Sequence, residues 1–144
     1  MTTDPPAATA VERWHRYVET RDVALLDDVL ADDVVFRSPV VHTPQQGKKI
    51  TTAYLAAALT ALDGGDGEEG RFGYVGQLVD GHRALLEFRT RVGEIEVHGV
   101  DLLTVDDEGR IVEFTVMVRP LKAVHAVWDA MGALLAAQQG GATS

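Results

Sequence analysis

The spacing of apolar residues changes twice along this chain of 144 residues, and no other sequence feature constrains the fold as strongly. As far as Leu62, apolar residues recur every three or four positions, which is typical of helices. From Phe72 to Pro120 they alternate with polar residues, as in strands that bury one face. After Pro120 the helical spacing returns. The pattern predicts an α+β domain in which helices precede and follow an antiparallel sheet.

Three helices are predicted before the sheet. Thr9 and Glu12 fit a capping box at the start of the first helix. Asp22 is well placed to cap the second. The third covers Lys48–Leu62, where the alanine content favours a helix. The second helix leads into a short strand at Val34–Phe36.

The alternating part of the chain predicts a meander of about four antiparallel strands. Asp80-Gly81 is a hairpin signal, and Gly93 and Gly109 separate the next strands. Residues 63–70, rich in glycine and acidic residues, are predicted to form a mobile surface loop within the same domain.

A final helix is predicted after Pro120, ending at Gly140-Gly141. Its apolar stripe is predicted to close over a pocket or to pack against another subunit. That stripe consists of Leu121, Val124, Trp128, Met131 and Leu135. We expect one domain over residues 8–139, with flexible termini at 1–7 and 140–144, because the chain is long enough for one substantial core.

Composition excludes several classes of function. The 22 acidic and 13 basic residues give a net charge of −9, which repels nucleic acid and anionic membranes. No apolar segment is long enough to span a bilayer, and the start lacks signal-peptide character, so we expect a cytoplasmic protein. The chain has no cysteine, and its five histidines show no metal-binding spacing. We therefore expect neither a metal nor a cofactor.

Asp101 is the residue that points to a site. It lies in the predicted strand Val97–Val105, on the face shared with Gly99 and Leu103, and neither face of that strand is polar. An ionised carboxylate in apolar surroundings costs several kcal/mol unless it is paired or protonated. Asp101 therefore indicates either a pocket, where burial raises its pKa, or a structural pair with Arg119 or Arg37, which lowers it.

The order of the predicted elements, together with several short motifs, resembles the nuclear transport factor 2-like superfamily, in its SnoaL-like and ketosteroid isomerase-like branch. The resemblance covers nearly all of residues 8–125 and implies a cone-shaped fold, with a curved antiparallel sheet wrapped around N-terminal helices and a C-terminal helix. It also implies a homodimer. The matching segments are Arg21-Asp22 with Leu25-Leu26, residues 30–36 with Pro39, Gly47, residues 99–101 and residues 109–112.

The isomerase resemblance implies three site positions. Trp14 lies where such enzymes have a tyrosine of the first helix, and Ser38 lies where they have a carboxylate base before a proline. Asp101 lies at the position of a neutral aspartic acid that donates a hydrogen bond, for which ketosteroid isomerase is the known example. The pKa of a serine hydroxyl is far too high for Ser38 to abstract a carbon-bound proton near neutral pH, so Ser38 is not expected to act as the base. His42 is the best substitute, although a histidine beside Pro44 is also well placed to hydrogen-bond the turn.

Related epoxide hydrolases use an arginine two residues before the aspartate and an asparagine that holds water. The first position is Gly99 here, and the chain contains no asparagine. Epoxide hydrolysis is therefore not expected. A SnoaL-like cyclase needs chiefly an acid or base, which a pair of His42 and Asp101 would supply if the two converge.

The resemblance also sets the register of an apolar pocket around Asp101. Its predicted lining is Trp14, Tyr17, Phe36, Ser38, Tyr54, Leu86, Phe88, Leu103, Phe114, Val116 and Val118. We expect such a pocket to bind a small steroid-like or polyketide-like molecule. The alternatives are an acid/base enzyme (an isomerase, cyclase or dehydratase) that uses Asp101 and His42, and an interaction module whose interior is filled.

Overall fold

The structure, a computed structural model, describes residues 4–63 and 71–143, with the side chains of the last helix as far as Ala136. The helices are α1 (Pro6–Thr20), α2 (Ala24–Val29), α3 (Lys48–Ala61) and α4 (Leu121–Thr143). The strands are β1 (Leu30–Arg37), β2 (Gln45–Gln46), β3 (Gly73–Asp80), β4 (Arg83–Val92), β5 (Ile95–Val105) and β6 (Ile111–Arg119). The predicted α+β class is confirmed.

The strands form one open sheet in the order β2-β1-β6-β5-β4-β3. The last four strands are the predicted meander, each antiparallel to the next. β1 joins its other edge by pairing parallel to β6, and Phe36 lies opposite Phe114. This pairing brings the first strand of the chain beside the last.

The alternation in β5 shows how the sequence buries one face of the sheet. Val97, Gly99, Asp101, Leu103 and Val105 are buried, whereas the residues between them are half-buried. The buried face packs against α1, whose apolar side contributes Trp14 and Tyr17 to the core. The predicted face of Asp101 is therefore confirmed.

The start of α1 differs from the prediction. α1 begins at Pro6, and no side chain caps it, so Thr9 and Glu12 lie inside the helix instead of capping it. Proline is favourable in a first turn because it lacks an N–H group that would be unpaired there. Asp22 does act at the start of α2, where its Oδ1 accepts a hydrogen bond from the Ala24 N–H at 3.0 Å.

The last helix also differs. It continues past Gly140-Gly141 to Thr143. It buries Ala123, Val127 and Met131, whereas Trp128 and Leu121 of the predicted stripe are 55% and 71% exposed. The helix carries two overlapping apolar stripes, and contacts with α3 and the sheet select the one that includes the small Ala123.

The predicted mobile loop lies almost wholly outside the described residues. Within them, no helix is long and apolar enough to cross a membrane.

Candidate functional site

A chain of two hydrogen bonds inside the fold ends at Asp101. The Trp14 Nε1–H donates to the Tyr74 hydroxyl oxygen at 2.6 Å. The Tyr74 O–H in turn donates to Asp101 Oδ2 at 2.5 Å. Asp101 is only 5% exposed. Three elements, α1, β3 and β5, thus converge on one buried carboxyl group.

The sheet register explains how Tyr74 reaches Asp101 across the intervening strand β4. Tyr74 lies opposite Phe88 of β4, and Phe88 lies opposite Gly99 of β5. Gly99 has no side chain, so the Phe88 ring occupies the space above it. Asp101 is the next inward-facing residue along β5, within reach of the Tyr74 hydroxyl.

Burial controls the protonation of this pair. It raises the pKa of Asp101 from 3.8 to about 7, and the hydrogen bond from Tyr74 opposes the rise. The pKa of Tyr74 is raised well above 10, first by burial and then by the negative charge of Asp101. Near neutral pH, Asp101 therefore exists in both protonation states, so it is able to donate or to accept a proton.

The structural pair that the sequence left open is not formed. Arg37 instead pairs with Glu113 at 2.8 Å. Arg119 Nη1 lies 3.3 Å from His98 Nδ1. The raised pKa of Asp101 agrees with the pocket interpretation, because a nearby arginine would have lowered it.

A narrow apolar cavity of about 30 Å³ adjoins Asp101. That volume corresponds to about one water molecule in the liquid, whereas ligand pockets usually measure about 300–1,000 Å³. The residues that line it are Trp14, Leu55, Ala58, Leu59, Leu62, Phe72, Tyr74, Asp101, Phe114 and Val116. A steroid-sized ligand therefore requires this cavity to widen.

Four of the predicted site residues line the cavity. They are Trp14, Asp101, Phe114 and Val116. Others are buried in the surrounding core without lining it, namely Tyr17, Phe36, Leu86, Phe88 and Leu103. Tyr54 and Val118 are half-buried and pack against that core.

The two predicted base positions do not line the cavity. Ser38 lies just after β1, where its Oγ accepts a hydrogen bond from the Val40 N–H at 3.1 Å. His42 is exposed in the segment between β1 and β2. The structure therefore does not bring His42 together with Asp101. In the part of the chain that is described, no group of three or more potential metal ligands exists.

Sequence reasoning missed Tyr74, the direct partner of Asp101. The one signal available in the sequence was the alternation of Phe72 and Tyr74, two positions apart. This spacing predicts that both rings lie on the same side of extended chain, ahead of the β-bulge. The α3 side of the cavity, formed by Leu55, Ala58 and Leu59, was also missed.

We expect Tyr74→Phe to destabilise the protein by about 1–2 kcal/mol, because it leaves the Trp14 N–H without its acceptor in a buried site. It should also raise the pKa of Asp101 further, since the hydrogen bond that lowers this pKa is lost. Urea unfolding and carboxyl carbon NMR would measure the two effects. An unchanged pKa of Asp101 would contradict the assigned hydrogen bond.

Comparison with known proteins places this geometry in a family. The model of the SnoaL-like domain matches residues 11–114. A steroid delta-isomerase from Pseudomonas aeruginosa is 37% identical, with 97% of this chain and 98% of that one covered and a TM-score of 0.86.

Two further solved structures resemble the chain. An uncharacterized bacterial protein with a cystatin-like fold from Silicibacter pomeroyi is 33% identical, with 86% and 83% of the two chains covered and a TM-score of 0.76. A putative SnoaL-like polyketide cyclase from Jannaschia shares the fold at 14% identity, with 88% and 96% covered and a TM-score of 0.65. The search of curated proteins gave no match. With its nuclear transport factor 2-like fold, the chain belongs to the SnoaL-like domain family.

Proposed function

We propose that this protein binds a small, flat hydrophobic molecule in a widened form of the cavity at Asp101, and that it recognises an oxygen atom of that molecule. The observation that carries the proposal is the buried Tyr74–Asp101 pair beside an apolar wall. Burying a carboxyl group lowers the stability of the fold. Its presence is explained if the carboxyl proton serves in binding or catalysis, as is common for titratable groups with shifted pKa values.

The polar end of such a site suits a ketone or enol oxygen. Protonated Asp101 donates one hydrogen bond, and the Trp14–Tyr74 chain holds the carboxyl group in place. The 37% identity with a steroid delta-isomerase supports a steroid-like ligand of this kind. The same chemistry suits a polyketide-like aromatic ketone.

An acid/base enzyme is the second candidate, and the pKa of about 7 for Asp101 favours it. Protonated Asp101 would stabilise the negative charge that develops on a carbonyl oxygen when an adjacent C–H loses its proton. Among the described residues that line the cavity, however, none is a second carboxylate or a histidine. His42, the base predicted from the sequence, is exposed and does not line the cavity, so binding without turnover is the function we place first.

The cavity has to open for either function, and α3 is the wall best placed to move. Leu55, Ala58 and Leu59 on α3 form one side of the cavity, and the other side is the rigidly paired sheet. Thermal unfolding with a steroid ketone, and with the matching steroid hydrocarbon, tests whether opening occurs. At a ligand concentration of 100 times Kd, we expect about 2.7 kcal/mol of stabilisation.

Variants separate the two functions. If the protein is a binder, Asp101→Asn should weaken binding of the steroid ketone more than binding of the hydrocarbon. The wild type should then leave a β,γ-unsaturated ketone unchanged in an ultraviolet assay. If it is an enzyme, the wild type should convert that ketone and Asp101→Asn should lose turnover while retaining the ligand. Trp128→Ala is the control: this side chain lies on the exposed side of α4 and does not line the cavity, so the variant should bind both ligands like the wild type. Failure of both ligands to stabilise the wild type would refute the binding proposal.

We also propose a homodimer in the cytoplasm. The outer face of the sheet exposes Met117 by 52% and Leu78 by 71%, with the half-buried Val100 and Leu102 between their strands. An apolar sheet face of this kind favours a covering partner. Sedimentation at several concentrations tests it, and Met117→Lys should shift the protein towards the monomer.

A further inference from the structure

A second candidate site lies at the end of the outer sheet face, where β6 leads into α4. A groove of about 400 Å³ is lined there by four cationic side chains and by Glu94 and Glu96. The cations are Arg89, Arg91, Arg119 and Lys122. In a chain whose net charge is −9, with 13 basic residues in all, this grouping reverses the sign of the surrounding charge.

The sheet register builds the centre of this groove. His98 of β5 lies opposite Arg89 of β4 on one side and opposite Arg119 of β6 on the other. Neighbouring strands are about 4.8 Å apart, so the three side chains form one row on the outer face. Two guanidinium groups therefore flank a histidine within reach of one small ligand.

His98 holds the carboxylate of Glu87, which precedes Arg89 by two residues on the outer face of β4. Arg119 Nη1 lies 3.3 Å from His98 Nδ1, and a guanidinium only donates, so Nδ1 is the acceptor. The other nitrogen, Nε2, is then protonated and donates to Glu87 Oε2 at 2.6 Å. Glu87 is thus occupied by a neutral histidine instead of by Arg89 or Arg119.

Among the described residues, none of the four cations forms an ion pair, although Glu96 lies opposite Arg91 in the strand register. In residues 4–63 and 71–143, no ion pair within 4.0 Å includes Arg89, Arg91, Arg119 or Lys122. The first turn of α4, which starts beside the groove at Leu121, also carries no acidic side chain. Unpaired cations on adjacent strands repel one another, and an anion would relieve that repulsion.

We propose that this groove binds a phosphate group, either as inorganic phosphate or as the head of a small phosphate ester. A phosphate offers several oxygens in a tetrahedral arrangement, so guanidinium groups from two strands and the ammonium group of Lys122 can bind it together. This site is separate from the Asp101 cavity, and the proposal goes beyond the proposed function.

Isothermal titration with inorganic phosphate, at an ionic strength held constant with sodium chloride, tests the site. Arg89→Gln should weaken binding by about 10-fold or more, since it removes a charge-assisted contact. Arg83→Gln is the matched control, because Arg83 lies on the same strand and face, is exposed, and does not line the groove. We expect the control to bind within about 2-fold of the wild type. Absence of saturable binding, or an equal loss in both variants, would overturn the proposal.

Two more variants test the role of His98. Glu87→Gln should bind phosphate at least as tightly as the wild type, because it removes a negative charge beside the row. His98→Ala should bind more weakly, because Glu87 is then free to pair with Arg89. Phenyl phosphate distinguishes the two sources: tighter binding than inorganic phosphate indicates an ester site, and equal binding indicates inorganic phosphate. Asp101→Asn should leave all these affinities unchanged, so failure here is distinguishable from failure of the cavity proposal.

Discussion

Asp101→Asn should become progressively more stable relative to the wild type as the pH rises from about 5 to about 8, by roughly 3 kcal/mol in total. The folded protein holds a proton on Asp101 up to a pKa of about 7, whereas the unfolded chain releases it near 3.8. Between these values the folded state binds more protons, so raising the pH favours unfolding. The contribution of Asp101 is complete below the lower pKa, declines between the two and is constant above about pH 7. Asparagine does not titrate, so the variant lacks this decline.

Urea unfolding of both proteins across this pH range gives the difference directly. Taking the difference cancels the titration of the other carboxyl groups, which the two proteins share. Asp106→Asn, at the turn between β5 and β6, is a control for removing one carboxylate. A constant difference between wild type and Asp101→Asn would show that Asp101 keeps an ordinary pKa, and the argument for a functional acid would fail.

Gly99→Ala should destabilise the protein by up to about 3 kcal/mol. A Cβ atom at this position would lie 2.5 Å from the Met117 carbonyl oxygen and 2.5 Å from Phe88 Cζ. The first contact is with backbone of the neighbouring strand, so movement of the phenyl ring alone does not relieve it. Either β6 or β5 has to shift, and the shift would disturb the hydrogen bond between Tyr74 and Asp101.

Gly73→Ala is the matched control for that substitution. Gly73 lies in the edge strand β3, and a Cβ atom there meets nothing within 4 Å. We expect no loss of stability, and a gain of up to about 1 kcal/mol, because alanine restricts the unfolded chain. Equal losses at both positions would mean that the close approach of Phe88 to Gly99 is not a real constraint.

Periodicity predicted most of the fold because it reflects which face of each element is buried. The β-branched and apolar residues around Asp101 predicted its strand and showed that it shares a face with Gly99 and Leu103. Neither face is polar, so the resemblance, and not the alternation, predicted that this face points inwards. α4 is the contrasting case. Its sequence offers two apolar stripes. The predicted stripe includes Trp128, but packing against α3 buries Ala123 and Val127 instead. Only the tertiary neighbours decide between such stripes.

The candidate site was less predictable than the fold. The alternation around Asp101 identified the acid, but its partner depended on the alignment of three strands. The register of β3 shifts at a bulge between Tyr74 and Gly76, and no sequence pattern fixes such a shift. The size of the cavity was also not predictable, because it depends on how closely α3 approaches Phe114 and Val116.

The parallel pairing of β1 with β6 has a consequence for how this protein acquires its structure. Arg37 and Glu113 are in contact although 76 positions separate them along the chain. The loop that must close before β1 finds its neighbour is therefore long, and contacts of this kind slow folding. During synthesis, the edge of β1 has no partner on that side until residues 111–119 have left the ribosome. We therefore expect slow folding, and an edge of β1 that is open to aggregation until β6 pairs with it. Stopped-flow refolding of the wild type and of Phe36→Ala would measure the folding rate.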